Sequence, residues 1–264
     1  MKKNILITND DGYESEGLLE LVETIKSIKD VIVTVVAPAT EKSACGHSLT
    51  LTKPLRFIEI DDNFFKLDDG TPSDCVYLSI YALFKQKPDL IISGINKGSN
   101  MGEDITYSGT ASAAMEAVLQ GIPSFSISQV YNKTPSNIIN HGYSLACKTA
   151  KDIAQKLLSK EIVLKKRNFL NINIPPVKEK FSKGYKITEA GIRLYGNDAH
   201  IHKNPRGETY YWIGVHPLQW DKRGDKYMCD LEAIEKNYIS ITPIQLNLTS
   251  YKEIENLKKL ENEI

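Results

Sequence analysis

Hydrophobic and polar positions alternate between two periods over the first 130 residues. Asn4–Thr8 is a short apolar run, rich in β-branched residues, that stops at a turn signal, which predicts a strand. Leu18, Leu19, Leu21, Val22, Ile25 and Ile28 recur at helical spacing and predict a helix over Leu18–Ile28. Val31–Ala37 (VIVTVVA) is almost wholly apolar and stops at Pro38, as a central parallel strand covered on both faces would. Cys75–Phe84 reads as a helix with Ser73 and Asp74 as candidate caps, broken at Lys87-Pro88. Asp89–Ser93 reads as a third strand, Ser112–Gln120 as a small-residue helix stopped by Gly121, and Pro123–Ser128 as a fourth strand.

This order predicts a doubly wound α/β sheet, mostly parallel. Ligands in such sheets bind beyond the carboxyl ends of the strands. Three polar segments should therefore share one sheet edge: Asn9-Asp10-Asp11-Gly12, the loop from Pro38 to Ser48, and Ser93-Gly94-Ile95-Asn96. Further along, Thr50–Ile60 reads as a pair of short strands, Asn137–Leu158 as a long helix and Phe169–Ile174 as a strand. From about Tyr185 the pattern changes. Gly191, Gly207 and Gly224, with Tyr210, Tyr211 and Trp212, suggest β-hairpins or an extended arm. Tyr238–Pro243 reads as a late strand and Tyr251–Glu263 as a charged C-terminal helix.

Composition narrows the function classes. The chain has 264 residues and can bury a sizeable core. Lys+Arg and Asp+Glu balance at 33 each, which argues against a general nucleic-acid binder with a basic excess. The N-terminal apolar run ILI is too short for a signal peptide, and no stretch approaches the roughly 18 apolar residues of a membrane span. Cys45, Cys75, Cys147 and Cys229 are scattered, so they read as reduced thiols of a cytoplasmic protein.

Two adjacent carboxylates repel, and a buried Asp10–Asp11 pair needs a cation or strong donors. A plain solvated turn is the alternative, since Asp, Asn and Gly are ordinary turn residues. Asp61-Asp62-Asn63 and Asp68-Asp69-Gly70 read as such loops. Position separates them: Asp10 and Asp11 follow a buried strand where the crevice opens, with Ser43 and Asn96 in the neighbouring crevice loops. Together the four supply oxygen ligands for one hard cation with room for water. The segment Ser93–Thr110 (SGINKGSNMGEDITYSGT) carries Gly94, Gly98, Gly102 and Gly109, and Ser108-Gly109-Thr110 opens a helix. Backbone N–H groups there suit a phosphate; an ordinary N-capped loop is the alternative. Asn9, Asn100, Ser108, Gly109 and Thr110 are the candidate phosphate contacts. His47 is a candidate substrate contact or a polar loop residue, and His141, His200, His202 and His216 lack metal-like spacing. The chain has no nucleophile elbow, no Walker loop and no GxGxxG.

ILITNDDG, Ala37–Ser43, HSLTL, GTPSDCVYL, the run from Pro88 to Ala117, NPRGETYYWIG and YISITP together resemble the SurE family of 5′/3′-nucleotidases. The resemblance implies a Rossmann-like three-layer core over residues 1–184. It also implies an extension over 185–264 (hairpin arm, late strand returning to the core, C-terminal helix) that is exchanged between subunits of a homodimer or homotetramer. It implies a metal-dependent phosphomonoesterase that hydrolyses nucleoside monophosphates and forms no stable complex with nucleic acid or membrane. One divalent ion per subunit, Mg²⁺ or Mn²⁺, is expected on Asp10, Asp11, Ser43 and Asn96, with Asp10 and Asp11 as catalytic carboxylates. Many members have Gly where this chain has Ala44. A non-catalytic alternative is a receiver-like switch or a nucleotide sensor; a receiver needs an acceptor Asp at the end of the third strand, where Ser93–Asn96 stands.

Overall fold

Among the described residues nine strands form one sheet, and their order explains where the polar loops gather. The computed structural model describes residues 2–133, 138–139, 142–194, 199–213, 219–223 and 226–262. In chain order the first half holds β1 (Lys3–Thr8), α1 (Glu16–Lys26), β2 (Val31–Pro38), β3 (Arg56–Asp61), β4 (Phe64–Asp68), α2 (Pro72–Ala82), β5 (Leu90–Lys97), α3 (Gly109–Leu119) and β6 (Ser124–Gln129). A small antiparallel pair, β7 (Asn132–Lys133) and β8 (Ile138–Ile139), precedes α4 (Ser144–Leu158) and β9 (Asn168–Ile174). Then come β10 (Tyr185–Ile187), β11 (Ile192–Leu194), β12 (Ala199–Lys203), β13 (Thr209–Ile213), β14 (Gln219–Asp221), α5 (Asp230–Glu235), β15 (Ile239–Gln245) and α6 (Tyr251–Leu257).

The main sheet runs β10-β15-β9-β6-β5-β1-β2-β4-β3. From β9 to β4 every pair is parallel, while β3 and β15 pair antiparallel with their neighbours β4 and β9. That parallel run has the strand order of a Rossmann sheet, reversing between β1 and β5. Strand alternation divides the core into two layers. Ile5, Ile7, Val33 and Val35 pack with Leu18, Leu21 and Ile25 of α1 and Ala150 and Ile153 of α4. Leu6, Val36 and Ile91 face the other way, onto Cys75, Val76 and Ile80 of α2 and Ala113 and Ala117 of α3. Each fully buried Leu or Ile contributes about 1.5–3 kcal/mol.

Several boundaries differ from the sequence pattern. α2 starts earlier, because Thr71 is the cap: its hydroxyl accepts the Asp74 N–H at 3.1 Å, and the Asp74 carboxylate accepts the Thr71 N–H at 2.9 Å. Pro72 then takes the first helical position, where no N–H is needed. α4 begins at Ser144, after Gly142 at φ +74°, and Ile138–Ile139, within the expected helix, pairs as β8 with β7 instead. β5 continues past Ser93 to Lys97, with a register shift against β6 between Ser93 and Asn96. α5 has only six residues and shows no readable period in the sequence. β10 and β15, both beyond residue 184, lie in the main sheet, while β12 and β13 form an exposed hairpin. His141, Gly214, His216, Gly224 and Glu263 lie outside the described residues, as does Asn137, the expected start of the long helix. Among the described residues no helix is long and apolar enough to cross a membrane, and all four cysteines are free thiols.

Candidate active site

Thr8 at the end of β1 pairs with Ser93 of β5, so the Asp10–Asp11 turn and Asn96 leave adjacent strand ends. This is the point where the strand order reverses and a crevice opens. A cavity of 320 Å³ lies there, lined by Asp10, Ser43, Asn96, Asn100 and Ser108 among the expected residues. Lys97, Asp104, Tyr107, Tyr131 and Arg193 line it as well. A larger hollow of 660 Å³ between α1 and α4 holds none of the strand-end residues.

Asp10 is buried at the N-terminus of α3. One carboxylate oxygen accepts the Thr110 hydroxyl and the other accepts the Thr110 N–H at 3.0 Å. Gly109 makes that approach possible: a Cβ there would sit 2.8 Å from the Asp10 Cβ and 3.0 Å from the Cys45 Sγ. Burial pushes the Asp10 carboxyl up to about 6; the Thr110 hydrogen bond pulls against this and the Asp11 charge adds to it. Asp11 is half-buried, and burial raises its carboxyl despite a 2.9 Å hydrogen bond from the Lys97 N–H.

Ser43 is exposed, and its hydroxyl donates to the Glu41 carboxylate at 2.6 Å. Its loop is anchored to the acidic turn by the Lys42 N–H, which donates to the Asp10 carbonyl at 2.7 Å. Ala44 has φ +58°, the left-handed conformation that favours glycine. Asn96 donates its Nδ2 to the Gly98 carbonyl at 3.0 Å, which leaves its Oδ1 as an acceptor. Asn9 braces the turn from inside: its Nδ2 donates to the Gly12 carbonyl at 2.9 Å and to the Ser15 Oγ at 2.7 Å. The Asn9 Oδ1 is buried without a hydrogen-bond partner among the described residues. Asn9, Asp11, Gly109 and Thr110 do not line the cavity; Thr110 holds Asp10 and Gly109 leaves it room.

Ser108 caps α3, accepting the Ala111 N–H at 3.0 Å, and Asn100 is buried in the cavity wall. His47 is latched to Glu116 of α3, Nε2 to Oε2 at 2.9 Å, and does not line the cavity. Arg193 on β11 was not legible in the sequence as a site residue. Its guanidinium pairs with Asp104, and its N–H donates to Glu103 at 3.3 Å. Lys97 and Tyr107 fall within the glycine-rich segment read above, but nothing local marked Tyr131 or Arg193.

The donor set suits a hard divalent cation. Two carboxylates raised by burial, Asp10 also by the charge of Asp11 and Asp11 by that of Glu41, a carboxamide oxygen and a hydroxyl are all oxygen donors. Among the described residues no three His, Cys, Asp or Glu side chains converge, so an ion here would also depend on Ser43 and Asn96. Lys97 and Arg193 supply cationic groups for an anionic ligand in the same cavity.

The family model described as "Survival protein SurE" matches residues 5–197. A protein of Sulfurovum sp. (strain NBC37-1) named "5'-nucleotidase SurE" is 56% identical over 263 residues, covering 99% of this chain and 98% of that one. A protein of Helicobacter hepaticus with the same name is 55% identical over 261 residues, 97% of each chain. The crystal structure of the SurE protein from Aquifex aeolicus superposes with a TM-score of 0.81 at 38% identity, covering 98% of this chain and 100% of that one.

Proposed function

This chain belongs to the SurE family, and from that membership we propose that it is a metal-dependent phosphomonoesterase hydrolysing nucleoside 5′- (and 3′-) monophosphates to nucleoside and phosphate. The observation that carries the reading is the cavity at the strand-order reversal, which Asp10, Ser43 and Asn96 share with Lys97 and Arg193. The full-length relatives named 5′-nucleotidase support the nucleotide as substrate. A receiver-like switch is not favoured, since β5 carries Ser93-Gly94-Ile95-Asn96 where an acceptor carboxylate would be needed.

Asp10, Asp11, Ser43 and Asn96 would hold one divalent ion, Mg²⁺ or Mn²⁺. Such an ion, when bound, polarises the phosphoryl group and lowers the pKa of a water. The protein's own groups do the rest. Thr110 and the N-terminus of α3 keep Asp10 in place. Lys97 offers a cationic group to the dianionic ester, beside Arg193, whose guanidinium is shared with Asp104. Asn100 and Ser108 offer polar contacts to the phosphoryl oxygens. Phosphate release from AMP and GMP with Mn²⁺ or Mg²⁺ tests the reading. Turnover should disappear with a chelator and return with the metal. The Asp10→Asn variant should lose roughly 100-fold or more of the activity. Near-normal activity of that variant at excess metal would remove Asp10 from the site.

The reading extends to assembly and place: a cytoplasmic homodimer or homotetramer, with a core over 1–184 and an extension over 185–264 that is exchanged between subunits. The exposed β12–β13 hairpin supports this, presenting Ile201, Tyr211, Trp212 and Ile213 to solvent.

A further inference from the structure

The β6–β9 region of the sheet buries polar side chains where apolar ones would pack at less cost. Ser126 and Ser128 on β6 stand in register with Asn171 and Asn173 on β9, and all four are fully buried. As i and i+2 pairs on parallel neighbours they share one face of the sheet. Their hydrogen bonds converge on one residue. Asn173 accepts the Asn100 N–H on its Oδ1 at 2.9 Å and donates its Nδ2 to the Asn100 carbonyl at 2.9 Å. Asn171 donates its Nδ2 to the same carbonyl at 2.7 Å and accepts the Ser126 hydroxyl at 2.8 Å. Ser128 accepts the Asn100 side-chain Nδ2 at 2.8 Å. The buried block thus holds the main-chain donor of Asn100 with one atom, its main-chain acceptor with two and its carboxamide with one.

Asn100 lines the cavity, whereas Asn171, Asn173 and Ser128 do not. It sits in the glycine-flanked segment Gly98–Gly102, which has few local means of fixing its own conformation. We propose that Asn171 and Asn173, with Ser128, are positioning residues that hold Asn100 preformed in the cavity wall as a contact for the phosphoryl group of the substrate. The inference rests on the phosphomonoesterase reading. The clamp acts on Asn100, whereas the side chains of the expected metal ligands Asp10, Asp11, Ser43 and Asn96 are held by other partners; Asn96 meets the clamp only through its strand pairing with Ser128, which a side-chain change leaves in place. Loss of the clamp therefore weakens the hold on phosphate and leaves the metal requirement unchanged.

The test measures KM for AMP, the Mn²⁺ activation constant, and binding of inorganic phosphate to the Mn²⁺-loaded protein by calorimetry. Asn173→Leu should raise KM and the phosphate dissociation constant about tenfold, with the activation constant moving less than about twofold. Ser128→Ala removes only the side-chain tether, should raise both about threefold, and serves if the Leu variant does not fold. In an Asn100→Ala background Asn173→Leu should add less than about twofold, because the clamp then holds nothing that touches phosphate. Effects that multiply in that background, or a metal constant that moves together with KM, would overturn the inference. So would unchanged phosphate binding in both single variants. Phosphate binding by a wild-type protein that releases none from AMP would sink the phosphomonoesterase reading and leave the clamp standing.

Discussion

At the scale of single residues, the site depends on two positions where a methyl group decides the outcome. Gly109 lets Asp10 reach the start of α3, and a Cβ there would stand 2.8 Å from the Asp10 Cβ, which is fixed to the backbone and cannot rotate away. Gly109→Ala is expected to cost about 1–3 kcal/mol of stability by overpacking, and to depress activity as Asp10 shifts. Denaturant midpoints and kcat measured together check this; an unchanged midpoint would contradict the contact. Ala44 is the reverse case. Its φ of +58° disfavours any residue with a Cβ, so Ala44→Gly should stabilise the protein by up to about 1 kcal/mol. A lower melting temperature in that variant would show that the alanine methyl group packs usefully. The same φ is one that a glycine at this place would adopt without strain.

At the scale of elements, polar anchors hold the loops on the sheet edge. The loop after β2 carries Ser43 and is tied to α3 through His47 and Glu116, and to α2 through Asp74, which accepts from the Thr50 N–H at 2.9 Å and hydroxyl at 2.6 Å. Burial would raise the Glu116 carboxyl, but hydrogen bonds from His47 and Gln120 hold it below its ordinary value of 4.5. A depressed acid stabilises the fold above its unfolded pKa, and that contribution is lost as pH falls through the folded value. The stability gap between wild type and Glu116→Gln should therefore be full near neutrality and shrink on acidification below 4.5. Urea titrations at several pH values would reveal it, and a gap that widens in acid would refute the latch. On the opposite side of the cavity, Asp230 accepts the N–H groups of Gly102 at 2.7 Å and Gly191 at 3.0 Å. It thereby joins the glycine-rich segment to the strand that brings Arg193. Asp230→Ala leaves those donors buried and unpaired, and should cost about 1–3 kcal/mol by thermal or urea unfolding. No loss would mean that the segment is held by other contacts.

At the scale of the whole molecule, the chain puts its metal-type ligands on the parallel core and part of its cationic lining on the later segment. Arg193 reaches the cavity from β11, beyond the boundary proposed at residue 184. The hairpin that follows exposes Trp212 at 67% and Ile213 at 90%, more apolar surface than an isolated chain keeps at low cost. A light-scattering mass of two or four times 29.6 kDa is expected, and Trp212→Glu should shift the population toward smaller species. A mass of one chain at working concentration would end the exchanged-arm reading.

The sequence by itself determined β1, β2, β5, β6 and β9 of the parallel run, the two helical layers and the place of the acidic turn, because each follows from local periodicity; β4 (Phe64–Asp68), between two acidic turns, was not among them. A buried parallel strand must be continuously apolar, a covering helix must repeat its apolar face, and a turn must follow at a strand end. It also contained Asn96, Asn100 and Ser108 as candidates, since the glycine-rich segment is one continuous stretch. Tertiary structure alone decided the partners. Thr110 serves Asp10 rather than an open face of the cavity, as helix and turn meet across 100 residues of sequence. Asn171 and Asn173 converge on Asn100 only when β9 lies beside β6. Arg193 enters the cavity only when β11 packs on the turn at Gly102–Thr106. Period and propensity act within a few residues, whereas these contacts are set by strand order, and no local pattern encodes which distant side chain will stand opposite.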